Sequence, residues 1–352
     1  MSGLWKLMAV IFLAAVPSSL PSLLKLNEVD FFIRNAGLVV LPFVAAYFAF
    51  KGIENKFVVM GMSLVYLTSA LLINLLPFKP ESPIELLSCL HLPIMLWVVT
   101  GFAFVGFRFP RQDDWVAFMR FTGEWLVMIA IVVLAGALFV SLTFSLFALA
   151  GVFLETIFVK HFLIWGWATA LITAAWLIDA FPGLVSRVSP VIARVFGILM
   201  APMLLFFVIT LFFRIHELFN NREFLLVCDV LLIAVMAILV FSVTETGSET
   251  MGRHRKWLLF SILLLALVIN SIAMAAILYR IGEWGITPNR AAVLGANVLL
   301  MCNLVLMIPK LWQASKGKVS ITEVAGITAM FLPVYGFWTM VVTFIFPFIF
   351  GF

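Results

Sequence analysis

Charge is what this chain lacks most. Only 11% of its 352 residues are Asp, Glu, Lys or Arg, against about a quarter in an ordinary soluble domain. Hydrophobic residues make up 64% and mean hydropathy is +1.20. That leaves too little polar surface to coat a globule, so lipid must be the solvent for most of the chain. Cysteine is scarce too. Cys89, Cys228 and Cys302 are far apart with no CxxC pair, which speaks against a disulfide framework or a zinc knuckle and leads us to expect buried free thiols. The four histidines, His91, His161, His216 and His254, form no HExxH or other paired spacing, and there is no GxSxG nucleophile turn. No stretch between apolar runs is long enough for a Walker loop or a Rossmann unit. We therefore expect no cofactor and no metal site, and an ATP-driven pump working alone is excluded.

What is present is a series of apolar runs. With ~20 residues needed per membrane crossing, about eleven candidates emerge: 4–24, 31–50, 57–77, 86–107, 122–148, 157–180, 191–213, 223–243, 257–279, 290–309 and 322–350. The expected architecture is an all-α, polytopic transmembrane bundle forming a single membrane domain over 1–352, with no extramembrane domain. Pro17 and Pro21 interrupt the first run, which also resembles a signal segment but reads as uncleaved because more spans follow. The fifth and last runs exceed a bilayer's thickness, and Pro333 and Pro347 are the expected break points of the last.

The basic excess, 22 Lys+Arg against 17 Asp+Glu, is better explained by loop anchoring than by nucleic acid, and no nucleic-acid partner is expected. Placing the N-terminus in the cytoplasm puts Lys6, Lys51, Lys56, Arg108, Arg111, Arg120, Arg187, Arg194, Arg253, Arg255, Lys256, Lys310, Lys316 and Lys318 inside. Lys25, Arg34, Lys79, Lys160, Arg214, Arg222, Arg280 and Arg290 then lie outside. Positive residues favour the cytoplasmic side, so a cytoplasmic N-terminus and a periplasmic C-terminus are expected. The most polar linker, "TETGSETMGRHRKW" (244–257), is acidic first and basic last, as an inner-face anchor would be.

One short outer loop is unusually crowded. In "YRIGEWGITPNR" (279–290), Tyr279 and Arg280 are expected to end a helix, with Gly282 and Gly285 allowing the turn. Thr287 suits an N-cap and Pro288 the first helical position. Arg290 then falls in a first turn, where a cation opposes the helix dipole. Glu283 is the nearest candidate to compensate it. The segment reads either as a well-made hairpin with interfacial aromatic anchors or as a ligand site. In the second case Arg280, Glu283, Thr287 and Arg290 would hold an anionic group such as a lipid head group.

Polar residues inside the runs form a second set: Asn74, His91, Asp229, Asn270, Asn297 and Asn303. Buried amides in lipid usually bond a neighbouring helix, and a lone histidine is most simply a hydrogen-bonded core residue. An acid within a span is costly and counts for more. Asp229 lies about two turns into its run; Glu124 and Asp179 lie near the ends of theirs. Ala291 and Gly295, four apart, offer a small-residue face for close helix approach.

The stretches "RNAGLVVLPFVAAYFAF" (34–50), "HLPIMLW" (91–97) and "YRIGEWGITPNR", in that order, resemble an uncharacterised family of bacterial multi-pass inner-membrane proteins known only as a domain of unknown function. Its pattern includes a Tyr-Gly-Leu/Ile-Thr-x-x-Arg stretch between two late helices. Gly285, Ile286, Thr287 and Arg290 match it, while Trp284 stands where tyrosine is usual. The resemblance implies the bacterial inner membrane and brings no activity with it. Three functions therefore compete: a transporter or flippase-like carrier, a non-catalytic subunit of an envelope complex, and an intramembrane enzyme acting on a lipid-linked substrate. The expected partners are membrane lipids and, for the second reading, another membrane subunit.

Overall fold

The computed structural model describes residues 4–79, 82–149, 155–213, 222–245 and 251–351, and among these the chain is helical, with no strand. The side chains of Lys160, His161, Arg214, His216 and Arg222, and the middle of the 244–257 linker, lie outside the described residues. In chain order the helices are α1 Leu4–Leu24, α2 Glu28–Ala49, α3 Lys56–Leu75, α4 Pro83–Phe104, α5 Gln112–Leu149, α6 Glu155–Ala180, α7 Pro182–Phe213 and α8 Arg222–Glu245. There follow α9 Arg253–Trp284, α10 Pro288–Ser315, α11 Ile321–Met330, α12 Leu332–Met340, a π-helical turn Val341–Ile345 and α13 Phe346–Phe350.

Ten helical stretches among the described residues are long and apolar enough to cross a membrane, and α6 covers the remaining candidate with a shorter apolar stretch, Thr169–Ala180. This is an all-α polytopic architecture. Helix α1 runs through both of its prolines without a break, as helices in lipid often do. At 38 residues, α5 is about 57 Å long at ~1.5 Å per residue, nearly twice a hydrocarbon core, so its acidic first turn at Asp113 and Asp114 extends beyond the apolar part. The last candidate is interrupted at Phe331, just before Pro333, and changes from a π turn to an α-helix beside Pro347 without a break. Phe331 ends α11 and Pro333 opens α12, while Pro347 opens α13 after the π turn.

The π turn follows from Pro347. A proline has no N–H, so the Thr343 carbonyl four residues earlier loses its usual helical donor. The Ser88 hydroxyl on α4 donates to that carbonyl at 3.0 Å. Beside it Val342 and Phe346 pack with Leu87 and Ala292 in a small core of their own.

By their contacts the residues group into two compact units. The first comprises Met1–Leu76, Leu92–Pro110 and Phe121–Arg187; the second comprises Pro77–His91, Arg111–Arg120 and Val188–Phe352. The first unit is centred on aromatics. Phe48 meets Phe104 at 5.5 Å and Phe121 at 5.4 Å, edge to face. Gly37 lets α2 lie against α4, since a Cβ there would stand 3.0 Å from the Pro93 backbone. The second unit is centred on aliphatic residues from α7 to α11, among them Leu204, Leu211, Leu239, Ile262, Met307 and Ile321, all fully or almost fully buried. Its main seam joins α9 to α10. Gly295 on α10 is abutted by the Trp338 ring on α12, so a Cβ there would overlap the indole.

Candidate functional site

The second unit brings three of the polar residues singled out from sequence into one chain of contacts. Asp229 lies seven residues into α8, about 10 Å along the helix at ~1.5 Å per residue. Its Oδ1 accepts a hydrogen bond from Asn297 Nδ2 on α10 at 2.8 Å. The Asn297 backbone carbonyl in turn accepts from Asn270 Nδ2 on α9 at 3.1 Å. Three helices thus meet through one carboxylate and two amides, with Asn270 at 0% and Asn297 at 2% exposure. The amide orientations follow from their partners. A carbonyl and a carboxylate oxygen only accept, so both Nδ2 groups must point where they do.

Two features separate this cluster from ordinary helix–helix bonding. No lysine or arginine pairs with Asp229 among the described residues, and its Oδ2 accepts no hydrogen bond. Asn270 Oδ1 and Asn297 Oδ1 are buried with no protein donor within reach. Buried polar atoms nearly always find a partner; Asn303 Oδ1 and Trp338 Nε1 also lack one, but here two orphaned acceptors join a carboxylate with no cationic partner among the described residues.

The remaining intramembrane polar residues lie elsewhere. Asn303 Nδ2 donates to the Tyr335 hydroxyl of α12 at 3.0 Å. Asn74, grouped with Asn270 and Asn297 from sequence, belongs to the first unit. There it exchanges two hydrogen bonds with Asn35, at 2.9 and 2.8 Å. His91 bonds its own helix: Nδ1 lies 2.8 Å from the Leu87 carbonyl, which requires the proton on Nδ1. Cys89 and Cys228 are buried free thiols as expected, but Cys302 is free and exposed.

The 279–290 hairpin has the expected caps. Thr287 Oγ1 accepts from the Arg290 N–H at 3.4 Å and Pro288 opens α10. Gly285 supplies the positive φ of +75° at the turn, whereas Gly282 lies inside α9, which continues to Trp284. Glu283 is not the counter-charge to Arg290. Arg290 Nη1 donates to the Trp284 and Gly285 carbonyls at 3.2 and 2.6 Å. The cation that opposes the dipole of α10 is placed by the negative carbonyl end of α9. Both guanidinium groups also lie against the Trp284 indole, Arg280 at 5.5 Å and Arg290 at 5.7 Å from the ring centre. Arg120 does a similar job for α8, its Nε donating to the Thr244 carbonyl at 2.7 Å.

Three contacts were not foreseen from sequence. Asn35 lay at the start of a run and gave no sign of its amide partner. Tyr66 and Thr100 share a hydrogen bond at 2.9 Å in the first unit. Asp179 closes onto Lys51 at 2.7 Å and accepts from the Tyr47 hydroxyl at 2.9 Å, pairings across more than 120 positions that no local pattern announces. The first unit also holds a groove of about 710 Å³ along α1, α2 and α3, apolar but for Asn35, Ser63, Tyr66 and Asn74.

No family model matches the chain, and no curated protein or solved structure matches it either. The site must be judged on its own geometry.

Proposed function

We propose that the chain is a membrane carrier whose translocation centre is the Asp229–Asn297–Asn270 cluster. The observation that carries this is the uncompensated carboxylate. A charge within a span costs several kcal/mol and marks an ion or substrate pathway by default, and here its hydrogen-bonded partner is an amide rather than a cation. Its position where three long helices meet favours a moving substrate over a fixed structural bond. An enzyme would need an acid/base pair, and the hydrogen-bonded chain joins Asp229 to amides only.

Accessibility tests the reading. With Cys89, Cys228 and Cys302 replaced by alanine, Asp229→Cys is treated with a membrane-impermeant thiol reagent in right-side-out and inverted vesicles. A carrier exposes this position to each side in turn, so label enters from both. A scaffold leaves it unlabelled from either side, and that result rejects the proposal.

We place the protein in a bacterial inner membrane with a cytoplasmic N-terminus and periplasmic C-terminus. The loop bias of basic residues supports this orientation, and the location is what the resemblance carried by "GITPNR" implies. Reporter fusions at residue 352 and within 244–256 should report opposite sides; agreement between them rejects the topology.

A further inference from the structure

We propose that Asp229, Asn270 and Asn297 bind a bare monovalent alkali cation. Its role in transport rests on the carrier reading, but its binding is readable without it. Three oxygens are open at the cluster: Asp229 Oδ2, Asn270 Oδ1 and Asn297 Oδ1. Neither amide can turn to offer nitrogen instead. Each Nδ2 is already committed, one to Asp229 Oδ1 and the other to the Asn297 carbonyl, and a flip would set oxygen against oxygen.

Such a set selects the ligand by hardness and charge. Carboxylate and amide oxygens suit hard cations rather than thiol- or imidazole-seeking metals. One carboxylate supplies a single negative charge. A monovalent ion brings the site to neutrality, whereas a divalent ion leaves a net positive charge in lipid, where charge is most expensive. Mg²⁺ also keeps several waters and demands octahedral geometry, which residues at 0% and 2% exposure leave little room to satisfy. A proton on Asp229 neutralises the charge but supplies one donor, so at least one buried amide oxygen stays unpartnered. The proposed cation would take these three oxygens as its protein ligands.

The test uses the full chain in detergent or nanodiscs. Thermal unfolding is followed in NaCl, KCl or choline chloride at fixed ionic strength, with saturable ²²Na⁺ binding measured in parallel. The expected result is a saturable rise in Tm with Na⁺ or K⁺ and none with choline. Asp229→Asn and Asn297→Ala abolish both the shift and the binding, while Asn303→Ala, an equally buried amide outside the cluster, retains them. Should the cluster variants fail to fold, the wild-type titrations and the Asn303→Ala control still decide. Equal Tm in all three salts with no ²²Na⁺ binding overturns the proposal, as does preferential stabilisation by Mg²⁺ or Ca²⁺. So does a Tm that follows pH alone and loses that dependence in Asp229→Asn, which assigns the site to a proton. Thiol labelling from both sides without cation binding leaves the carrier standing and removes the ion. Cation binding without labelling leaves a static ion site and removes the carrier.

Discussion

Asp179 and Asp229 are both carboxylates on long apolar helices, one in each unit, and they are treated in opposite ways. Asp179 ends α6 with Lys51 at 2.7 Å and the Tyr47 hydroxyl at 2.9 Å, and the ion pair stays partly open, its side chains 43% and 31% exposed for Lys51 and Asp179. It is a finished structural contact near a helix end. Asp229 sits deeper along its helix and has a single amide partner. The amide pairs differ in the same way. Asn35 and Asn74 satisfy each other reciprocally, whereas Asn270 and Asn297 each leave an oxygen unanswered. Among the described residues, the buried polar atoms left without a partner, Asn303 Oδ1 and Trp338 Nε1 included, lie in the second unit, and two of them meet an uncompensated carboxylate at a junction of three helices. Incomplete satisfaction in lipid costs stability, so the place that tolerates it is where a ligand is to be sought.

The contrast can be broken at several points, the largest first. Gly295→Ala drives a methyl into the Trp338 ring and should cost about 1–3 kcal/mol by overpacking, read as a fall in unfolding temperature. Gly37→Ala, whose new carbon stands 3.0 Å from Pro93, should cost less. Asp229→Leu, assayed in choline chloride, should raise stability by about 1 kcal/mol by removing an uncompensated charge from lipid. Asp179→Leu should not raise it, and should lower it by no more than about 1 kcal/mol because its ion pair is partly exposed. If both leucine variants shift alike, the distinction between the two acids fails.

A double-mutant cycle of Asn35→Ala and Asn74→Ala should return a coupling of about 0.6 kcal/mol, with about 1.7 as the ceiling; zero coupling would mean that the reciprocal pair contributes nothing. The smallest effect is expected at the hairpin. Arg290→Ala should cost about 0.5 kcal/mol for an exposed pair of hydrogen bonds. Arg290→Lys should recover most of it, because one nitrogen, Nη1, makes both contacts. A lysine variant no better than alanine would show that the planar guanidinium matters, through Trp284 or an anionic ligand.

The spans were legible because their signal is local: twenty apolar residues in a row announce themselves, and the interruption at Phe331 falls beside Pro333, where a break was expected. Thr287 and Pro288 were legible for the same reason, since a cap acts within one turn. Partners were not. The Glu283 expectation failed because sequence distance favoured a charge seven residues from Arg290, while the chain offered it carbonyls at the end of the preceding helix. Asn74 was grouped with Asn270 and Asn297 by residue type, yet it lies in the other unit. That Asp229 belonged with Asn297 and Asn270 could be suspected from the cost of burying each, but which of the polar groups would meet depends on helix rotation, which composition does not encode.

The π turn at Val341–Ile345 carries a consequence for mutation by length. It holds about one residue more than a regular helical turn, so each of its residues advances the side-chain direction by less than the ~100° of an α-helix. Five such residues sweep about the same angle as four α-helical ones. Removing a single residue from this stretch should therefore regularise the coil and leave the heading downstream nearly unchanged, with Phe346 still directed at Ala292 and Val342. The surplus residue is absorbed within one wide turn, so this segment should tolerate a one-residue deletion far better than a regular stretch of α9 or α10 would.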